Sequence, residues 1–135
     1  MGLRWQNVTI DCEDLAAQAR WWADVLDWRL VHESDEEAVI VPKDLEWGRP
    51  LLADEWASVG QGLIFVHVPE AKSRKNRLHL DLAPHLTDDR DALIESLLAR
   101  GATRVDVGQD ESKVSWAVLA DPEGNEFCVL SARDR

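Results

Sequence analysis

The residues best suited to chemistry lie on a short strand in the second half of the chain. Polar and apolar residues alternate strictly in Leu78-His79-Leu80-Asp81-Leu82, so His79 and Asp81 share one face of this strand. We expect the leucines to pack under helices and the polar pair to face a cavity. Histidine exchanges protons near neutral pH, which suits catalysis or ligand contact. A structural hydrogen-bonded pair on a half-exposed strand is the alternative interpretation.

A second strand near the end of the chain carries a carboxylate and a thiol. The run Asp121-Pro122-Glu123-Gly124-Asn125 predicts a tight turn, and the strand that follows puts Glu126 and Cys128 on one face. Glu126 is either a cavity carboxylate or a residue that satisfies the turn. Cys128 is either a small buried hydrophobe or a nucleophile, and the sequence places no base that would lower its pKa.

A long connection carries two tryptophans. Residues 43–60 form a loop longer than compact domains usually contain, which is typical of functional segments. Trp47 and Trp56 could close over a flat organic ligand, because large amphipathic rings suit such pockets. Alternatively, they attach the loop to the sheet.

The first half of the chain predicts the elements that position these residues. Val8-Thr9-Ile10 reads as a strand, on which Asn7, Thr9 and Asp11 share a face. Asp14 is a good N-cap for a helix that ends near Asp27. The apolar stripe of this helix is Leu15, Ala19, Trp22 and Leu26. Strands are predicted to follow at 28–31, 38–41 and 63–68.

The second half repeats this order. The strand at 78–82 precedes a helix that we expect Thr87 to cap and Gly101 to end, with Leu93 and Leu97 on one face. Strands follow at 103–107, 114–119 and 126–130. The order β-α-β-β-β therefore occurs twice, which predicts an α+β protein and excludes a doubly wound parallel sheet.

Composition narrows the function classes. A formal net charge of −11 over 135 residues opposes binding to nucleic acid and to anionic membranes, and no apolar run is long enough to span a bilayer. Two cysteines are too few for a disulfide framework and no signal-peptide pattern is present, so we expect a cytoplasmic protein with reduced thiols. The basic run at 72–77 reads as a solvated link.

Three segments together resemble the vicinal oxygen chelate superfamily, and within it the glyoxalase-like domain group. They are Trp21-Trp22-Ala23-Asp24-Val25-Leu26-Asp27-Trp28, the stretch from Val68-Pro69-Glu70-Ala71-Lys72 to His79, and the turn into Phe127. The resemblance covers nearly the whole chain and implies one domain of two modules, residues 1–70 and 76–135. It implies a concave, partly open eight-stranded mixed barrel with helices outside, a small molecule in its cavity, and a homodimer.

The resemblance also implies where a metal would bind. In the superfamily's metal enzymes, His, Glu or Gln at four strand positions supply the ligands, and these positions match Asn7, Val66, His79 and Cys128 here. Valine donates nothing and neutral asparagine is a weak donor, so the usual hard-cation site is not expected. If a divalent metal binds, we expect His79 with Cys128 or Glu126 to hold it.

Three functions stay open on this basis, the third being a structural or interaction domain that only dimerises. The first is a small-molecule binding protein that needs no cofactor, with these ligand contacts: Asn7, Thr9, Trp47, Trp56, Val66, Trp116, Glu126 and Cys128. The second is a metal-dependent or His79-based enzyme of the lyase, isomerase or dioxygenase type, with His79 and Asp81 as catalytic residues.

Overall fold

A computed structural model describes residues 3–56, 62–106 and 115–134. The chain divides into two compact units, unit one at Met1–Ala71 and unit two at Lys72–Arg135. Unit one contains β1 (Asn7–Cys12), α1 (Leu15–Leu26), β2 (Trp28–Glu33), β3 (Glu37–Pro42) and β4 (Gly62–His67). Unit two contains β5 (Leu80–Leu82), α2 (Arg90–Ala99), β6 (Thr103–Arg104), β7 (Ala117–Ala120) and β8 (Glu126–Val129).

Each unit forms a four-stranded mixed sheet with the same connectivity. The strand orders are β1-β4-β3-β2 and β5-β8-β7-β6, and in both sheets the first and last strands of the unit pair in parallel. The remaining pairs are antiparallel. The predicted α+β class and the repeated β-α-β-β-β order are therefore confirmed, whereas the assembly of the two sheets into one barrel and one domain stays a prediction.

Helix α1 forms as the sequence predicts. The Asp14 side chain accepts a hydrogen bond from the backbone N–H of Ala17, which satisfies one of the donors at the helix start. Asp27 ends the helix in the left-handed conformation, with φ of 54°. The predicted stripe buries Ala19 and Trp22 against the sheet, and Trp22 also meets the edge of Trp21 at 5.1 Å between ring centroids.

Helix α2 begins later than predicted. Asp89, and not Thr87, is its N-cap and accepts from the backbone N–H of Ala92. Thr87 belongs to a preceding turn, in which its Oγ1 contacts Nδ1 of His85 at 2.8 Å and the Asp88 carboxylate accepts from the His85 backbone. This turn occupies the residues that the sequence pattern assigned to the first helical turn. The predicted stop at Gly101 is confirmed by its φ of 110°.

The strand around His79 is shorter than predicted. Pairing of β5 with β8 begins at Leu80, opposite Phe127, so Leu78 precedes the sheet and is 88% exposed. The expectation that Leu78 packs under a helix is therefore wrong, and Leu80 and Leu82 are half-buried. Residues 107 and 114, at the ends of two predicted strands, lie outside the described residues. No helix in the described ranges is long and apolar enough to cross a membrane.

Candidate functional site

A cavity of about 170 Å³ lies on one face of the unit one sheet. Its floor is formed by side chains from three neighbouring strands, in register across the sheet. The residues 45–49 with Leu51 form a second wall, and Arg4 and Gln6 reach it from the chain that leads into β1. The floor residues are Asn7, Val39, Val41, Gly62 and Ile64.

Gly62 allows this floor to form at the start of β4. A Cβ atom at this position would clash with the carbonyl oxygen of Ile40 on the neighbouring strand. The absent side chain therefore permits close pairing of β3 and β4 next to the cavity.

A network of charges fixes the loop wall. The Arg49 guanidinium binds the Glu46 carboxylate at 2.6 Å and the Glu55 carboxylate at 2.9 Å, and Glu55 also accepts from the backbone N–H of Leu52. Hydrogen bonds from Arg49 and from that backbone N–H lower the pKa of Glu55 to about 2. The charge of Arg49 is thus compensated by two carboxylates, and Arg49 links Glu46 in the loop wall to Glu55 further along the loop.

Arg4 differs from Arg49 because its charge is not paired with a carboxylate within the described part of the chain. Its Nε and Nη2 atoms donate to the Gln6 amide oxygen at 3.0 and 2.7 Å, and its guanidinium lies 4.0 Å from the ring centroid of Trp56. Its Nη1 atom is buried and finds no acceptor among the described residues. Because Arg4 lines the cavity, its guanidinium brings there a positive charge that no carboxylate among the described residues pairs with.

A second cluster lies on the unit two sheet. Nε2 of His79 is 3.1 Å from Oδ1 of Asp81, and Asp81 is the register partner of Cys128 on β8. One ligand atom from each of these three residues lies within 4.8 Å of the others. The side chains of His79 and Asp81 are each about half exposed, and Cys128 is buried. The predicted catalytic pair and the predicted thiol are therefore neighbours.

The thiol of Cys128 is not activated as a nucleophile. Burial is the largest effect that raises its pKa, followed by the charge of Asp81 and a hydrogen bond to that carboxylate, and Lys75 opposes them weakly. A protonated thiol is a poor nucleophile. This agrees with the interpretation of Cys128 as a small buried residue.

Glu126 has a structural role different from the one predicted. The turn before β8 is satisfied by Asp121, whose Oδ1 accepts from the backbone N–H groups of Glu123 and Asn125 at 2.9 and 3.0 Å. The Glu126 carboxylate instead binds Nζ of Lys72 at 3.1 Å and the backbone N–H of Asn76 at 3.3 Å. Lys72 is therefore an ion-pair partner of a largely buried carboxylate, whereas Arg74, Lys75 and Arg77 are exposed, as expected for a solvated link.

Replacing Glu126 by glutamine should destabilise unit two in a pH-dependent way. Burial raises the pKa of Glu126, but its hydrogen bonds and the charge of Lys72 outweigh burial, so the folded-state pKa lies below its usual value. Its stabilisation is therefore present above the ordinary glutamate pKa and is lost as pH falls through the lowered one. We expect Glu126→Gln to lower the free energy of unfolding by about 1–3 kcal/mol at neutral pH and by less near pH 3.5.

Urea denaturation at the two pH values measures this difference. Glu95→Gln is the matched control, because the contact of Glu95 with Arg104 is 3.8 Å long and exposed. This substitution should cost less than about 0.5 kcal/mol. An equal loss for Glu126→Gln at both pH values would show that charge is not the source of the effect.

The structure separates the predicted ligand contacts into three groups. Asn7 and Trp47 line the unit one cavity. Thr9 accepts a hydrogen bond from the Asn7 side chain, and Trp56 supports Arg4, without lining the cavity themselves. Val66 lies beyond the cavity on β4, and Trp116, Glu126 and Cys128 belong to unit two.

Sequence reasoning missed Arg4 and the aliphatic floor of the cavity. The signal for Arg4 was an arginine three residues before Asn7 in a strongly acidic chain.

The floor of the cavity also identifies the position in unit one that corresponds to Cys128. Cys128 pairs across the sheet with Asp81, which lies two residues after His79. In the same way, Thr9 lies two residues after Asn7 and pairs with Ile64. Strand register therefore favours Ile64 over Val66 as the unit one counterpart of Cys128.

The metal set that the superfamily implies does not fit these residues. Neither Ile64 nor Val66 has a donor atom, and Asn7 offers a neutral amide oxygen while its amide nitrogen donates to Thr9. Of the four matched positions, His79 alone carries a ligand of the His, Glu or Gln type, which is too few for a hard divalent cation. The cluster of His79, Asp81 and Cys128 offers a different donor set, which contains sulfur.

Comparison with known proteins identifies the family to which the chain belongs. The family model described as "Glyoxalase-like domain" matches residues 7–130, and the chain belongs to this family. The resemblance seen in the sequence is thereby confirmed. No curated protein sequence matches the chain significantly.

Solved structures share the fold at low sequence identity. A glyoxalase/bleomycin resistance protein/dioxygenase family enzyme from Burkholderia phytofirmans is 16% identical, with a TM-score of 0.67 over 96% of this chain and 99% of that one. A mutant of the fosfomycin resistance protein FosX from Listeria monocytogenes, in complex with Mn(II) and a dihydroxypropylphosphonic acid, is 10% identical. Its TM-score is 0.68 over 98% of this chain and 92% of that one. These likenesses establish the fold alone.

Proposed function

We propose that this protein binds a small organic molecule with an acidic group in the cavity of unit one. The observation that carries the proposal is a cavity with an aliphatic floor and an uncompensated arginine at its edge. A site that combines apolar contacts with a few fixed polar groups is the usual form of a small-molecule pocket, and polar and apolar residues both line this cavity. The proposal requires none of the superfamily's usual catalytic metal.

The size of the cavity limits the ligand. An apolar cavity of about 150 Å³ accepts benzene, so about 170 Å³ admits one ring with a small substituent. Val39, Val41 and Ile64 offer apolar contacts to such a ring. Trp47, which stacks on His32 with 6.4 Å between ring centroids, offers an aromatic edge of the same cavity.

The position of Arg4 favours an anion at the cavity. Both carboxylates near Arg49, those of Glu46 and Glu55, are bound to its guanidinium, so Arg4 supplies the positive charge that a ligand would meet. Gln6 and the Trp56 ring hold the guanidinium in place before any ligand arrives, which reduces the entropic cost of binding. The net charge of −11 opposes anions at long range, so an acid would be held by its local contact with Arg4.

Thermal-shift measurement with matched acids and amides tests the proposal. We expect benzoate or phenylphosphonate to stabilise the protein more than benzamide at equal concentration, because only the anions pair with Arg4. Arg4→Met should weaken acid binding by about 10–100-fold, the equivalent of a lost charged hydrogen bond, and leave benzamide unaffected. Arg74→Met, an exposed arginine of unit two, is the matched control. Equal stabilisation by acids and amides, or an equal effect of both variants, would refute the role of Arg4.

The second candidate is an enzyme of the same superfamily that uses His79. The contact between Nε2 of His79 and Asp81 favours it, because a carboxylate that orients an imidazole leaves Nδ1 available to a substrate. On this alternative His79→Ala would abolish turnover, and Asp81→Asn would lower it. The homodimer and the cytoplasmic location expected from the sequence remain proposals.

A further inference from the structure

We propose that His32 positions Trp47 at the unit one cavity and makes acid binding there depend on pH, with tighter binding when the imidazole is protonated. This inference concerns the regulation of the cavity, and it rests on the proposed function. Its basis is the place of His32 in the fold, between a carboxylate of the sheet and an aromatic ring of the loop wall.

An irregularity in strand β2 brings His32 to the cavity face of the sheet. Arg29 pairs with Val41, and the register then shifts so that His32 pairs with Val39. Residues paired across an antiparallel ladder lie on the same face, and both valines line the cavity. In a regular strand, residues three positions apart would lie on opposite faces. The extra residue therefore turns His32 toward the cavity side, which is a known effect of a β-bulge.

The imidazole of His32 contacts the loop wall and the sheet together. Its ring stacks on that of Trp47 with 26° between the ring planes, and Trp47 lines the cavity. Its Nε2 atom lies 3.5 Å from a carboxylate oxygen of Glu37 on β3. The side chain of His32 is 41% exposed, so protons reach it from solvent. His32 therefore joins the loop wall to the sheet through two contacts that both depend on its charge.

Protonation of the imidazole strengthens both contacts. A cation over the face of an indole gains an attraction to the ring that a neutral imidazole lacks. The imidazolium also pairs with Glu37, whose negative charge repels an acidic ligand when the imidazole is neutral. Histidine gains and loses its charge near neutral pH. Acid binding should therefore be tightest at the lower end of this range and weaken as pH rises.

The other charges on the surrounding elements leave this direction unchanged. Arg29, on the same face of β2, brings a like charge and donates to a backbone oxygen of the loop wall. Further acids of the neighbouring elements are bound to arginines or exposed in the turn between β2 and β3. They are Glu33, bound to Arg20, Glu46, bound to Arg49, and the turn residues Asp35 and Glu36. Glu37 is in direct contact with the imidazole, so it decides how protonation changes the charge that a ligand meets.

Titration calorimetry with benzenesulfonate tests this inference, because a sulfonate stays ionised at every pH used. We expect the wild-type affinity to be about 3–10-fold higher at about pH 5.5 than at about pH 8. His32→Phe keeps a ring beside Trp47 but carries no proton, so the two affinities should become equal. Wild-type binding should also take up protons, which repeat titrations in buffers of different ionisation enthalpy measure. His32→Gln, at the same half-exposed position, should give the same result if His32→Phe does not fold.

His67→Phe is the matched control for the change at His32. His67 is also exposed, and alternation along β4 puts it on the face opposite to Ile64 and the cavity. This variant should keep the pH dependence of the wild-type protein. Equal wild-type affinities at the two pH values, or a pH dependence that survives His32→Phe, would overturn this inference and leave the proposed function intact. No binding of benzenesulfonate at either pH would overturn both.

Discussion

Ile64→Trp is expected to abolish binding of small acids while the protein remains folded. Ile64 lies in the floor of the cavity, between Thr9 on β1 and Val39 on β3, and its side chain is half-buried. An indole at this position would fill much of a space of about 170 Å³. We expect the affinity for benzoate or phenylphosphonate to fall by at least about 100-fold, with a stability cost of about 1–3 kcal/mol.

Val66→Trp is the matched control for this substitution. Val66 is also half-buried and β-branched, and it lies on the same face of the same strand two residues further on, outside the cavity lining. Titration calorimetry on both variants should therefore give lost binding for Ile64→Trp and retained binding for Val66→Trp. Retained binding in Ile64→Trp would place the ligand elsewhere on the protein.

The second large effect concerns the two phenylalanines of the chain. Phe65 on β4 and Phe127 on β8 are 0% and 1% exposed, and each lies on the last strand of its unit. Replacing either by alanine should cost about 3–5 kcal/mol, a large share of the stability of a small domain. Phe→Leu at the same positions keeps most of the volume and should cost less than about 1.5 kcal/mol.

These variants also test whether the two units form one domain. If they unfold as one cooperative unit, Phe65→Ala should accelerate hydrogen exchange in protected peptides of both units, and Phe127→Ala should do the same. Mass spectrometry of the exchanged peptides resolves the units separately. Acceleration confined to the unit that carries the substitution would contradict the single-domain prediction.

Local patterns in the sequence predicted the elements well where one interpretation dominated. The spacing of Leu15, Ala19 and Trp22 and the cap at Asp14 predicted α1 to within a residue of its ends. The pattern failed at Thr87, because several capping residues follow one another there and a turn with His85 decides which one starts the helix. That choice depends on side-chain contacts that no periodicity records.

Tertiary contacts account for the differences between the predicted and the observed candidate site. Glu126 meets Lys72 across 54 positions of sequence, so no local pattern could distinguish an ion pair from a turn contact. The unit one cavity likewise depends on strand register, which puts Ile64 opposite Thr9 and leaves Val66 outside. By contrast, His79 and Asp81 could be paired from the sequence, because alternation along one strand is enough to put them on one face.

The most direct measurement of the proposed function is a nuclear magnetic resonance titration that follows the indole N–H signals. The chain has seven tryptophans, of which Trp47 lines the cavity, Trp56 supports Arg4 and Trp116 lies in unit two. Addition of benzoate should shift the Trp47 and Trp56 signals, leave Trp116 unchanged, and have no such effect in Arg4→Met. Shifts centred on Trp116, or the same Trp47 and Trp56 shifts in Arg4→Met, would contradict binding of an acid at the Arg4 cavity.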